Sequence, residues 1–195
     1  LGRTAARSPS KTPPLPGPPR PTNPASPADA GAIADIYAHH VAHGTATYDT
    51  EPRAAPQIAG DILGNRLHGW PFLAARDADG TIGGYACAGQ SRPRPAYSWT
   101  CEDSIYVRSD RQGAGVGRAL LQALLEQAEI AGFRTMVAVI GGAEPASIAL
   151  HQRCGFVHAG RLDGTGWKHG RWLDTVYMQR ALGEGAASPP PAREP

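Results

Sequence analysis

Nowhere in this chain do apolar residues run for the ~20 positions that a membrane-spanning helix requires, so no membrane partner is expected. Cysteine is scarce: Cys87, Cys101 and Cys154 are the only three. They are odd in number and form no C-x-x-C pair. That argues against a disulfide framework or a zinc site and suits buried thiols in a reducing compartment. No charged-then-apolar leader is visible, and a cytoplasmic protein is expected. Lysine is rarer still, two residues against 17 arginines, a bias to which no function attaches. Acidic residues are absent before Asp29, whereas residues 1–27 carry Arg3, Arg7, Lys11 and Arg20. The remainder is nearly balanced, with 14 Lys and Arg against 15 Asp and Glu over residues 28–182. No basic patch with interleaved aromatics appears, so nucleic acid is not an expected partner.

Nine of the 19 prolines lie before residue 28. Proline removes backbone donors, and that segment has almost no bulky apolar residues to bury. Residues 1–21 are therefore expected to be disordered, as is the tail 183–195, with one domain over 22–182. Its first helix should start at Ser26-Pro27-Ala28-Asp29, which offers a capping hydroxyl, a proline at the first helical position and an acid in the first turn. Ile33, Ile36, Tyr37 and Val41 then recur at helical spacing. A second helix should follow Pro56 and end near His68-Gly69. Asp77-Ala-Asp-Gly80 separates two strand-like runs and predicts a hairpin. A long strand over about 98–107 takes Trp99 as a core residue. Beyond it come a helix with Leu120, Leu121, Leu124, Leu125 and Ala128 on one face, a short strand Thr135–Ile140, a helix Ala146–Arg153, and strands Gly155–Ala159 and Arg171–Leu182. This order predicts an α/β (α+β) fold with a mixed central sheet flanked by helices.

The sharpest signal joins the end of the long strand to the helix after it: Gln112-Gly113-Ala114-Gly115-Val116-Gly117-Arg118. Three glycines at alternate positions permit close approach and positive φ. The helix N-terminus behind them offers free N–H groups and a positive dipole end, a site for a pyrophosphate. Gly-Lys-Ser/Thr is absent, which excludes the kinase-type P-loop, and the spacing is not G-x-G-x-x-G. A turn that merely joins strand to helix remains the simpler alternative on the heptapeptide alone.

The run Gln112–Arg118 resembles the acetyl-CoA signature of the GNAT superfamily of N-acetyltransferases. Three further segments are similar to its phosphinothricin/methionine sulfoximine acetyltransferase branch: residues 96–107, Val137–Gly142 with Ser147–His151 and Gly155-Phe156, and Gly166–Asp174. Gly44–Pro52 resembles that branch's first substrate loop. The resemblance covers residues 22–182 and implies the acyl-CoA N-acyltransferase fold, with acetyl-CoA as co-substrate and no metal. Two positions depart from the pattern. Only Thr22–Ala25 stands where a first strand belongs, and Glu144 replaces an Asn that normally helps fix the cofactor arm.

The resemblance also implies roles. Glu102 becomes the general base, where residues alone would suggest a strand-edge salt bridge. His151 stands where relatives have a Tyr that protonates the leaving thiolate; otherwise it hydrogen-bonds the sulfur or is a solvated helix histidine. Tyr106 and Val107 are expected to offer backbone N–H groups to the thioester carbonyl. The cofactor should be held by Gln112, Gly113, Gly115, Val116, Gly117, Arg118, Ser147 and His151. Arg94, with Arg92 as the weaker candidate, should hold the acceptor's carboxylate; Tyr48, Tyr97, Trp167 and Lys168 should line its pocket. The Trp167 segment can reach a partner subunit in relatives, so a homodimer is entertained.

The expected function is direct acetyl transfer, without an acyl-enzyme, to the α-amino group of a small amino-acid analogue: phosphinothricin, methionine sulfoximine or methionine sulfone. The alternatives are a different acceptor (amino acid, polyamine or protein N-terminus) and a non-catalytic acyl-CoA-binding module.

Overall fold

The computed structural model describes residues 22–190; the expected disorder of residues 1–21 and 191–195 lies outside the described residues. Among the described residues seven strands form one sheet in the order β1-β2-β3-β4-β5-β7-β6. The thin first strand exists: β1 (Thr22–Pro24) pairs antiparallel with β2 (Phe72–Arg76), and the Ala25 N–H donates to the Phe72 carbonyl (2.8 Å). The expected cap is carried by Asp29 rather than by the serine hydroxyl, which makes no bond to a backbone N–H. The Ser26 backbone N–H and hydroxyl both donate to Asp29 (2.8 and 3.1 Å). The first turn there, Pro27–Asp29, is a 3-10 turn, and α1 follows as Ala30–His43.

α2 (Ala55–Leu67) lies with α1 on one face of the sheet, over Phe72, Ala74, Ile82 and Tyr85. The Asp77–Gly80 turn joins β2 to β3 (Ile82–Gln90), as its residues predict. β4 (Thr100–Val107) continues antiparallel. On the other face α3 (Val116–Ile130) packs Leu120, Leu121 and Leu124, all fully buried, onto Met136 and Met178. β5 (Thr135–Gly141), α4 (Pro145–Arg153), β6 (Val157–Lys168) and β7 (Arg171–Ala181) complete the chain. Trp99 is half-buried, and its carbonyl accepts the Arg134 and Thr135 N–H groups (2.8 and 3.2 Å).

Two expectations are revised. The strand expected at Gly155–Ala159 runs on to Lys168, because register shifts at His158/Gly160 and Leu162/Gly166 absorb its glycines without ending the ladder. Its hairpin closes through His169 and Gly170, both at positive φ (51° and 72°). Residues 183–190 were expected to lie free of the domain, yet the Arg134 guanidinium donates to the Gly185 carbonyl (3.0 Å) and the Ser188 hydroxyl (2.8 Å).

The feature that makes a site is a parting of strands. β4 and β5 pair in parallel over only three residues, Thr100–Glu102 with Thr135–Val137. Past Glu102 the two strands diverge, each still bonded to its outer neighbour, β3 or β7.

Candidate active site

The divergence opens a cleft of about 200 Å³ lined by Glu102–Tyr106 on β4, Ala138–Gly141 on β5, Thr47 and Tyr48 above, and Ser147 and His151 on α4. A larger furrow of about 640 Å³ lies on the outer surface beside Gln122, Arg153 and Arg180; it is away from the parted strands.

Hydrogen-bond alternation decides what β4 presents to the cleft. The Ser91 N–H bonds the Thr100 carbonyl and the Arg108 N–H bonds the Gly83 carbonyl (3.0 and 2.9 Å). Even-numbered residues of β4 therefore exchange bonds with β3, and the N–H groups of Asp103, Ile105 and Val107 turn to the open edge. Tyr106 is thereby corrected as a backbone donor: its N–H belongs to β3. Its ring instead meets those of Tyr37 (5.1 Å), Tyr85 (5.4 Å) and His40 (5.3 Å). Val107 remains at the open edge, and its carbonyl accepts the His40 Nε2–H (2.9 Å).

The same period of two separates adjacent side chains. Glu102 shares the α1/α2 face with Tyr106. Its carboxylate is one-third exposed, with the Arg92 guanidinium 3.6 Å away. Burial pushes the Glu102 carboxyl above its ordinary range and the Asp103 charge adds to this, while Arg92 opposes. Asp103 faces α3 and α4 and is buried. Its Oδ2 meets His151 Nε2 at 3.1 Å, and His151 Nδ1 donates to the Ser147 carbonyl at 2.7 Å. The solvated reading of His151 is excluded, since its side chain is 2 % exposed.

The glycine run forms a turn pinned on both sides. Arg111 bonds Asp77 of the β2–β3 turn (2.7 Å), and Arg108 bonds Asp110 (2.6 Å). Gly113 and Gly115 have φ of 71° and 82°, and Gly115 caps α3, whose first turn holds no acid. Gly117 serves differently. It is helical, and a Cβ there would stand 3.3 Å from Leu150 and 3.5 Å from Val107, so it keeps α3 close to its neighbours. Val116 is buried; Gln112 and Arg118 are exposed beside the helix end. Glu144, where the cofactor-fixing Asn was expected, occupies the N-cap of α4 and makes no side-chain cap bond.

On the acceptor side the expected residues are brought together only in part. Arg92 sits by Glu102, but Arg94 and Tyr97 lie on an exposed 3-10 turn, Pro95–Tyr97, outside the cleft lining. Lys168 is buried, and its Nζ donates to the Thr47 carbonyl (2.8 Å), so it anchors the substrate loop. Burial also lowers its pKa. The Tyr48 ring reaches the cleft, but its hydroxyl is taken by Thr175 Oγ1 (2.7 Å) and the Asp174 carbonyl (3.0 Å). Trp167 packs edge-to-face on Trp172 (5.3 Å) and is 58 % exposed. Asp103, Thr47 and His40 were not foreseen. Asp103 was legible, because it alternates with the apolar Cys101, Ile105 and Val107 on one side of the strand. Among the described residues no group of three His, Cys, Asp or Glu side chains is placed to hold a metal ion.

Known proteins are similar to this chain in sequence and in fold. The chain is 44 % identical over 163 residues to a phosphinothricin N-acetyltransferase from Alcaligenes faecalis, covering 83 % of this chain and 82 % of that one. It is 40 % identical to an L-methionine sulfoximine/L-methionine sulfone acetyltransferase from Pseudomonas aeruginosa, over 83 % and 94 % of the two chains. Its fold superposes with a TM-score of 0.87 on the crystal structure of a GNAT superfamily phosphinothricin acetyltransferase from Sinorhizobium meliloti in complex with acetyl-CoA, at 44 % identity and covering 89 % and 94 %. The acetyltransferase (GNAT) family profile matches residues 33–156, and the chain belongs to that family.

Proposed function

We propose that this enzyme transfers the acetyl group of acetyl-CoA to the α-amino group of a small amino-acid analogue, with phosphinothricin, methionine sulfoximine and methionine sulfone as leading acceptors. The observation that carries this is the β4–β5 cleft, flanked by a carboxylate on its acceptor side and a glycine-capped helix at its far end. The names of the relatives support the acceptor class.

The chain's own parts fit the co-substrate. The left-handed Gly113 and Gly115 expose the N-terminal amides of α3 to a pyrophosphate. The unpaired edge of β4 offers N–H groups of Ile105 and Val107 toward the thioester oxygen; one such contact is worth about 2.7–4 kcal/mol of barrier. Catalysis then needs a neutral amine, because an α-ammonium is mostly protonated at neutral pH. Glu102, raised by burial toward a useful range, removes that proton, and the freed nitrogen attacks the thioester carbon directly. Arg92, whose guanidinium lies 3.6 Å from Glu102, supports a role in holding the acceptor's carboxylate; Arg94, the residue first expected there, stands outside the cleft lining. Tyr48, lying on Gly166 where a Cβ would stand 2.8 Å from its ring, forms the pocket wall.

A second copy of the chain is the proposed partner. Trp167, Trp172 and Leu162 are 58 %, 66 % and 49 % exposed on the β6–β7 arm, an apolar surface suited to association. Work in the cytoplasm is proposed from the three free thiols.

A thiol-release assay over a panel of amines tests this reading. Turnover should be fastest with methionine sulfone or phosphinothricin and weak with polyamines or a peptide N-terminus. Release without any amine preference, or none at all, contradicts it.

A further inference from the structure

The cleft has a neighbour that the reading above does not use. On the α1/α2 face of the sheet a second cavity, of about 240 Å³, lies under Tyr37 of α1 and Ile58, Asp61 and Asn65 of α2. Ser104 and Tyr106 belong to the walls of both cavities. By the strand's period of two they lie on the side of β4 that carries Glu102. β3 adds Cys87 and Tyr85, which pair with Ser104 and Tyr106. Whole-ligand pockets typically measure about 300–1,000 Å³, so this chamber suits a side chain rather than a second complete ligand.

Two of its hydroxyls, on Tyr85 and Ser104, have no hydrogen-bond partner among the described residues. Tyr85 is 4 % exposed, and its ring stacks on Phe72 and Tyr106 (5.8 and 5.4 Å). Asp103 Oδ1 is the one fully enclosed side-chain polar atom without a partner among the described residues. The Tyr85 hydroxyl is therefore not sealed in the core, and the space it opens on is the chamber it lines. A donor so deeply placed and unpaired calls for an explanation. Asn65 spends both amide protons on the carbonyls of Pro71 and Ala88 (3.1 and 3.0 Å), which leaves its amide oxygen to accept. Burial pushes the Tyr85 phenol up, and that of Tyr37 to about 12, so both remain neutral near pH 7.

The charged groups on the wall are one cation and two carboxylates: Arg53, Asp49 and Asp61. Arg53 is already bonded to Asp61 (2.9 Å), and Asp49 accepts the Tyr37 hydroxyl (2.5 Å). An anion entering here would meet an excess of negative charge and no uncommitted guanidinium, a repulsion that water screens little in a recess.

We propose that this chamber is the subsite for the acceptor's side chain, and that it selects a polar but uncharged one, a sulfone or sulfoximine ahead of a phosphinate. With the amine at Glu102, the next residue on that face, Ser104, stands roughly 7 Å along β4, within reach of a two-methylene side chain. Tyr85 and Ser104 donate to the sulfur-bound oxygen, and Asn65 Oδ1 accepts the N–H of a sulfoximine. Ile58 and Phe72 pack on the methylenes and the S-methyl group. Phosphinothricin, whose phosphinate is an anion at neutral pH, is the acceptor this wall disfavours.

The inference rests on the acetyltransferase reading, yet the two fail separately. No turnover with any amine contradicts the reading; the order of acceptors tests the chamber. The wild-type kcat/KM should be higher for methionine sulfone than for phosphinothricin. Tyr85→Phe should raise the methionine sulfone KM about 2- to 12-fold, the worth of one neutral hydrogen bond, with the acetyl-CoA KM unmoved. Methionine has the same length without the oxygens, and its KM, or its inhibition constant if turnover is slow, should not change. Ser104→Ala should behave alike. Asp61→Asn should shift the ratio of kcat/KM values toward phosphinothricin by up to about 5-fold, as expected of one partly exposed charge. Phosphinothricin preferred by the wild type, an equal loss with methionine, or a ratio unmoved by Asp61→Asn would each overturn the proposal.

Discussion

Glu102 shows how far a single residue can be read in advance. The chain alone allowed a salt bridge at a strand edge, and the structure does contain one, with Arg92 at 3.6 Å. What residue type could not show was position: the carboxylate stands where β4 parts from β5, and burial raises its pKa. Its neighbour Asp103 was readable from strand alternation, but its pairing with His151 joins positions 48 residues apart and had no local signal. Glu102→Gln keeps shape and removes the base. Steady-state kinetics should show kcat lower by about 10²–10⁴-fold with CoA affinity nearly unchanged. In the wild type the acid limb of kcat should lie above the ordinary glutamate range, since a raised pKa demands a higher pH before the base is free. A kcat within about threefold of wild type would put the base elsewhere.

Among elements, those defined by local periodicity and punctuation were legible: α1 to α4, the Asp77–Gly80 hairpin and the glycine turn. β6 was not read to its full length, because glycine-rich sequence resembles a loop until β7 pairs with it across two register shifts. The substrate loop after α1 was recognised as a segment, while what holds it was invisible. Lys168 and His169 reach back from the β6–β7 turn to the carbonyls of Thr47 (2.8 Å) and Gly44 (3.1 Å). A long-range tether of this kind makes Lys168, expected to line the acceptor pocket, the anchor of the loop that forms its wall. Lys168→Met should therefore raise the acceptor KM and leave the acetyl-CoA KM alone. It should also keep the preference for a free carboxylate over the corresponding amide. Loss of that preference would make Lys168 itself the carboxylate's partner.

At the scale of the whole molecule, the order of elements predicted a mixed sheet, and the sheet forms with seven strands and both helix layers. The parting of β4 from β5 was beyond sequence, because it depends on which strand each backbone edge bonds. Association belongs to this scale too. If the exposed Trp167–Trp172 arm meets a second copy, Trp172→Glu should shift sedimentation from dimer to monomer; a wild type that sediments as a monomer contradicts that partner. The central claim is chemical: the cleft acetylates an α-amino nitrogen. Methionine sulfoximine carries two nitrogens, the α-amine and the sulfoximine N–H, so NMR of its product with acetyl-CoA tests the claim most directly. The acetyl group should be on the α-nitrogen alone. Acetyl on the sulfoximine nitrogen, or no acetylated product, would contradict the account.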